Sequence, residues 1–250
     1  MFAALVAAGS ILFLTVACAQ PGTGPAKVEP LLENAANASG PGEQTEIRVR
    51  TLLEWLQEPW GMDFLPDGRL LLTEKPGTLT VVTPGTWETA VVAGMPAVAD
   101  EGQGGLMDIL VHPDFGRNQW VYFSYAVGVE GGFTTRVSRA RLRDNALQDL
   151  EVLFTAQPAF AERRQFGSRL LLDQGLLYIP VGDRGNREKA QSLLTQNGKV
   201  LRLTEAGGVP ADNPFVGRSD ALPEIYSYGH RNPQGMDRRP GTREIWVAEH

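Results

Sequence analysis

Beyond residue 45 the apolar residues of this chain come in short runs, many of them alternating with polar positions, and Pro, Asp and Gly separate one run from the next. Runs of that length and period suit strands, and no long stretch carries the period of an amphipathic helix. A strand, tight turn, strand unit recurs over residues 61–75 around Pro66-Asp67-Gly68 and over 106–125 around Pro113-Asp114-Phe115-Gly116. It returns over 168–183 around Asp173-Gln174-Gly175 and over 235–250 around Pro240-Gly241. Further strand-length runs lie between these units at 79–83, 134–142, 151–156 and 199–204. A four-strand unit returning roughly every 45 to 70 residues predicts an all-β chain of the β-propeller type. A two-sheet sandwich is the other all-β solution, and it leaves the repeat unexplained.

The first part of the chain has a different character. Residues 1–19 are almost wholly apolar and uncharged, which predicts a secretory signal with Ala17-Cys18-Ala19 as a small-residue cleavage site; a single spanning helix is the competing reading. Leu14-Thr15-Val16-Ala17-Cys18 also has the form of a lipoprotein cleavage box, so Cys18 is a candidate lipid anchor, with lipoprotein and plain secretion both open. Residues 20–44 are rich in Pro, Gly, Ala and Glu and predict a linker without fixed structure, leaving 45–250 for the propeller. The expected location is therefore outside the cytoplasm, in the periplasm or the cell envelope. Cys18 is the sole cysteine, which excludes an intramolecular disulfide and a Cys-based zinc site. The formal net charge of −6, with no Lys/Arg cluster, argues against nucleic acid as a partner.

Chemistry concentrates in a few loops. Tyr226-Ser227-Tyr228-Gly229-His230-Arg231-Asn232-Pro233-Gln234-Gly235 packs a guanidinium and two amides among glycines and a proline. Arg231 and Asn232 suit a planar, oxygen-rich ligand, or else a polar turn that satisfies its own backbone. Gly102-Gln103-Gly104-Gly105-Leu106 precedes one strand unit, and Gly182-Asp183-Arg184-Gly185 follows the apolar run 176–181. Neither a Gly-x-Gly-x-x-Gly phosphate cradle after a strand nor a His-Glu-x-x-His or Cys-x-x-Cys pair is present.

In this order these segments resemble the glucose/sorbosone dehydrogenase family, the soluble aldose dehydrogenases that use pyrroloquinoline quinone (PQQ), over residues 60–250. The resemblance implies a six-bladed β-propeller of which about four blades are present, so that the sequence reads as C-terminally incomplete. It implies PQQ held by Arg231 and Asn232, and calcium bound through ligands expected beyond His250. It also implies a sugar substrate met by Gln103, an external electron acceptor, and Asp183 orienting or polarising a catalytic base. One position departs: where the family carries its catalytic histidine in His-Phe-Gly-Gly-Arg, this chain has Gln165-Phe166-Gly167-Ser168-Arg169. A glutamine amide positions a hydroxyl but is not a general base, which leaves Glu162, Asp183 or His230 as substitutes.

The structural alternatives are specific. Gln103 would tie a glycine-rich loop, Asp183 would bond its own turn, Arg169 would pair beneath the loops, and His112 and His230 would be turn and loop residues. Two rival readings follow, a non-catalytic propeller that binds a sugar or protein partner, and a quinone enzyme that oxidises another alcohol with another base.

Overall fold

The apolar runs become strands, and the breaks rich in Pro, Asp and Gly become their turns. The structure, a computed structural model, describes residues 34–38 and 45–250. They divide into two units, Met1–Leu56 and Gln57–His250. In the first, β1 (Asn34–Ala38) pairs antiparallel with β2 (Thr45–Val49). Both segments differ from expectation: Asn34–Ala38 lies in the stretch read as a linker, and Thr45–Val49 pairs with it instead of opening the propeller. Two extended segments so close in sequence satisfy each other's backbone groups at small loop-closure cost. The signal at 1–19, Cys18 and the rest of the linker lie outside the described residues.

The second unit consists of successive antiparallel meanders. β3 (Pro59–Phe64), β4 (Leu70–Glu74), β5 (Thr78–Thr83) and β6 (Glu88–Val91) form one four-stranded sheet in sequence order. A second contains β7 (Leu106–Val111), β8 (Trp120–Val129), β9 (Gly132–Arg143) and β10 (Ala146–Thr155), with α1 (Phe115–Asn118) inside its first turn. The third contains β11 (Leu171–Asp173), β12 (Leu176–Val181), β13 (Lys199–Thr204) and β14 (Ile225–Tyr228), with α2 (Arg187–Gln191) between β12 and β13. β15 (Pro233–Arg238) and β16 (Ile245–Glu249) form a two-stranded sheet that repeats the first half of the pattern. The molecule is thus all-β and of the propeller type, with three four-stranded blades and the first two strands of a fourth among the described residues.

Side-chain alternation explains how the blades stack, because successive residues of a strand face opposite sides of its sheet. Val121, Phe123 and Tyr125 of β8 join Leu71, Leu79 and Val81 of the first blade in one buried cluster. Tyr122, between them in sequence, joins Leu177, Ile179, Val181 and Leu201 of the third blade. β12 does the same one blade later: Tyr178 packs with Val200 and Met236, and with Ile245 and Val247 of β16. A strand buried on both faces reads as a continuous apolar run, as 176–181 does and as 121–126 does apart from Ser124.

Asp67 and Asp114 sit in the turn between the first and second strands of their blades, and Asp173 ends the first strand of its blade at the same turn, so they occupy equivalent hairpins. The stretch 226–235 was expected to be one loop and is not. β14 takes it as far as Tyr228, which pairs with Lys199, and β15 resumes at Pro233. Only Gly229-His230-Arg231-Asn232 connects the blades. Proline suits that restart, since it is accepted at the first residue of a strand.

Candidate functional site

Blade topology dictates where these loops meet. Gln103 lies in the connection from β6 to β7, Gln165 in that from β10 to β11, and Arg231 and Asn232 in that from β14 to β15. Each is a crossing from the last strand of one blade to the first of the next. Asp183 lies between the second and third strands of its blade. In an up-and-down meander these two kinds of connection emerge at the same end, opposite the turns holding Asp67, Asp114 and Asp173.

Hydrogen bonds tie together the loops that carry these five residues. The Gln165 amide N–H donates to Gln103 Oε1 at 2.7 Å, and the Gln103 N–H to the Arg163 carbonyl at 2.8 Å. The Gly167 N–H donates to Asn232 Oδ1 at 3.1 Å, and the Asp183 N–H to the Arg231 carbonyl at 2.8 Å. Arg164, Gln165, Asp183, Gly185, Arg187 and Arg231 line a cavity of about 120 Å³. A larger cavity of about 450 Å³, lined by Arg69, Phe115, Gln119 and Arg143 among others, lies by the hairpin turns of the opposite rim and contains none of these residues.

Close backbone approach builds this corner. Gln165 has φ of 57°, and a Cβ at Gly182 would lie 1.9 Å from its carbonyl oxygen, so only glycine fits there. Gly102 is held likewise, with φ of 60° and the Arg163 carbonyl 2.2 Å from where its Cβ would stand. Beneath the loop the wholly buried Arg184 stacks on Phe166, its guanidinium carbon 3.3 Å from the ring centroid, and it donates to the Glu162 carbonyl. Burial pulls its pKa down to about 10 despite the nearby Glu162 and Asp183. Among the described residues its Nε and Nη1 have no hydrogen-bond partner, and neither has the buried Gln165 Oε1. Groups of that kind point to a missing ligand or ordered water.

The structural roles weighed for these residues are present as well. Gln103 is exposed and ties the two loops together. Asp183 Oδ1 accepts from the Gly185 N–H at 2.8 Å, a local turn bond, while the residue is buried and lines the cavity. Asn232 is buried with Oδ1 committed to the scaffold, which leaves its Nδ2 as the group to offer a ligand. Arg231 is exposed, its Nη1 donating to the His250 carbonyl at 3.3 Å.

Of the substitute bases, Asp183 alone lines the cavity. His230 is engaged with Ser227 Oγ at 2.8 Å and Glu249 at 3.3 Å. His112 accepts the Asp114 N–H at its own turn. Arg169 pairs with Asp108 at 2.5 Å and stacks over Trp60. Arg164 and Arg187 were not singled out in the sequence. Their positions, one beside Gln165 and the other two residues after Gly185, were the available signal.

A propeller whose blade-crossing loops converge on an arginine-rich cavity defines a ligand-binding class, and comparison narrows it. Residues 56–250 match the family model described as Glucose / Sorbosone dehydrogenase, and the chain belongs to that family. The aldose sugar dehydrogenase YliI of Escherichia coli is 39% identical over 209 residues, covering 82% of this chain and 56% of that protein. A crystal structure of a glucose dehydrogenase superposes with a TM-score of 0.76 at 42% identity, covering 78% of this chain and 58% of that one. The PQQ-bound aldose sugar dehydrogenase of Streptomyces coelicolor superposes with a TM-score of 0.71 at 28% identity, covering 80% and 59%. The chain therefore spans somewhat over half the length of these relatives.

Proposed function

We propose that this protein is an exported oxidoreductase that oxidises aldose sugars with PQQ and passes the electrons to an external acceptor. The observation that carries the reading is the convergence of Gln165, Asp183 and Arg231 on one arginine-lined cavity in a fold of this family. An anionic quinone fits Arg231 and Asn232, because a guanidinium matches carboxylate oxygens and an amide donates to carbonyl oxygens, and the site holds unpartnered polar atoms. Arg231 and the Asn232 Nδ2 would hold it. When bound, it supplies the hydride acceptor that no side chain can provide. Calcium belongs to the same expectation. Among the described residues no group of three or more His, Cys, Asp or Glu side chains is arranged to hold a metal ion, and no step here runs through one.

The protein's own part is positioning and proton removal. In this reading Gln103 and Gln165 would offer amides to sugar hydroxyls, and Asp183, the one carboxylate on the cavity, would stand in as a weaker proton acceptor than the family's histidine. Gln165 cannot take that proton, so quinone binding is expected to be retained while turnover is slow. Quinone titration followed by dye-coupled glucose oxidation tests this. Gln165→His is expected to raise turnover about a hundredfold or more with little change in quinone affinity. Equal, fast turnover in both proteins makes another residue the base. Absence of quinone binding in both favours a non-catalytic propeller, the reading that Gln165 itself supports.

A further inference from the structure

Several arginines elsewhere in this unit have acidic partners: Arg163 pairs with Glu101 at 2.6 Å, Arg202 with Asp212 at 2.9 Å and Arg238 with Asp173 at 3.2 Å. Arg164 and Arg187 do not. Both are exposed, both line the cavity, and neither guanidinium has an ion pair or hydrogen bond among the described residues. The Arg164 guanidinium lies over the turn after Asp183, since a Cβ at Gly185 would stand 2.9 Å from its Nε and Nη2. With Arg231 the lining holds three guanidiniums against one carboxylate, Asp183, in a chain whose net charge is −6. Unpaired charges of one sign in a concave site select a ligand of the other sign.

Arg231 serves the quinone in the reading above, so two cations are left over on the same cavity. Gln165, only 6% exposed, is part of the same lining, and its buried Oε1 is a neutral acceptor without a partner among the described residues. We infer that Arg164 and Arg187 are specificity residues for an aldose carrying an oxyanion, a carboxylate or a phosphate, in preference to a neutral sugar. The inference rests on the sugar-oxidising reading and adds the charge class of the substrate. A charge-assisted contact of this kind changes affinity by about tenfold to a hundredfold.

The test uses the purified protein with PQQ added, titrated calorimetrically with glucose, glucuronate, glucose 6-phosphate and inorganic phosphate. Dye reduction with each sugar runs alongside. At least one charged sugar is expected to bind about tenfold or more tighter than glucose, and the two charged sugars distinguish carboxylate from phosphate. Replacing both residues, Arg164→Ser with Arg187→Ser, should abolish that preference and leave glucose affinity unchanged. Both side chains are exposed, so folding should be unaffected, and a thermal melt checks it.

Equal binding of glucose and both charged sugars overturns the inference while sugar oxidation stands. Inorganic phosphate binding as tightly as the phosphorylated sugar overturns it too, since the sugar would then add nothing. Loss of quinone affinity in the double variant, with sugar preference intact, assigns the guanidiniums to the cofactor instead. Failure to bind or oxidise any sugar sinks the functional reading and the inference together.

Discussion

Asp108 shows how a single buried residue sets the pH response of the fold. It is 1% exposed, pairs with Arg169, and accepts the Leu170 N–H at 2.7 Å, yet burial outweighs these partners and pushes its pKa up to about 6. The folded chain therefore holds this proton more tightly than the unfolded one, so its contribution is full below the ordinary value near 3.8 and lost as pH rises through about 6. We expect urea midpoints, compared between pH 4 and pH 7, to show wild type losing on the order of 3 kcal/mol relative to Asp108→Asn. A parallel response in the two proteins would mean that Asp108 ionises normally. Lys199 is a second buried cation, its Nζ donating to the carbonyls of Lys189, Ala190 and Asn197 at 2.8 to 3.0 Å. Burial draws its pKa down to about 8, while those acceptors favour the ammonium and hold α2 against β13. None of this was legible in the sequence, because carbonyl acceptors carry no residue signature. The motif residues Gln103, Gln165, Asp183, Arg231 and Asn232 were legible as a group. The difference between neighbours Arg163 and Arg164 was not, since it depends on which of them finds Glu101 on the neighbouring loop.

Between elements, a hydroxyl on the second strand of a blade ties it to the next. Thr73 of β4 accepts the Gly61 N–H at 2.8 Å and donates to the Met107 carbonyl of the second blade. Ser124 of β8 repeats the device, accepting the Asp108 N–H at 3.0 Å and donating to the Ser168 carbonyl at 2.8 Å on the chain entering the third blade. Both residues are fully buried, so removing either hydroxyl strands a backbone donor and an acceptor. Thr73→Val is expected to cost about 1 to 3 kcal/mol, seen as a lower denaturant midpoint with an unchanged slope. A midpoint within error of wild type would show the tie to be dispensable. The hairpins themselves could be read from Pro66-Asp67-Gly68 and its counterparts, because turn residues mark them and strand alternation flanks them. Strands β6 and β14 could not. They are the outermost strands of their blades, and Thr89 and Val91, Tyr226 and Tyr228 are largely exposed, so no apolar period announces them.

Across the Gln57–His250 unit, the meander separates two rims with different work. Blade-crossing loops gather at one, where they must pass from the outside of one blade to the inside of the next and so converge; hairpin turns occupy the other and answer only to their own strands. Size alone would choose the hairpin rim, whose cavity of about 450 Å³ exceeds the 120 Å³ of the loop rim. Chemistry chooses otherwise. In the larger cavity Arg69 is paired with Asp67 at 2.8 Å and Arg143 is bonded to Gln119 at 2.5 Å, while the smaller holds unpaired guanidiniums and a carboxylate. Ligand binding should therefore separate cleanly by rim. Arg143→Ser is expected to leave PQQ affinity within about twofold of wild type, whereas Arg231→Ala should weaken it about tenfold or more through loss of a charge-assisted contact. Fluorescence titration of both variants decides it. If Arg143→Ser weakens quinone binding as much as Arg231→Ala does, the ligand sits on the hairpin rim and the site has been assigned to the wrong end of the propeller.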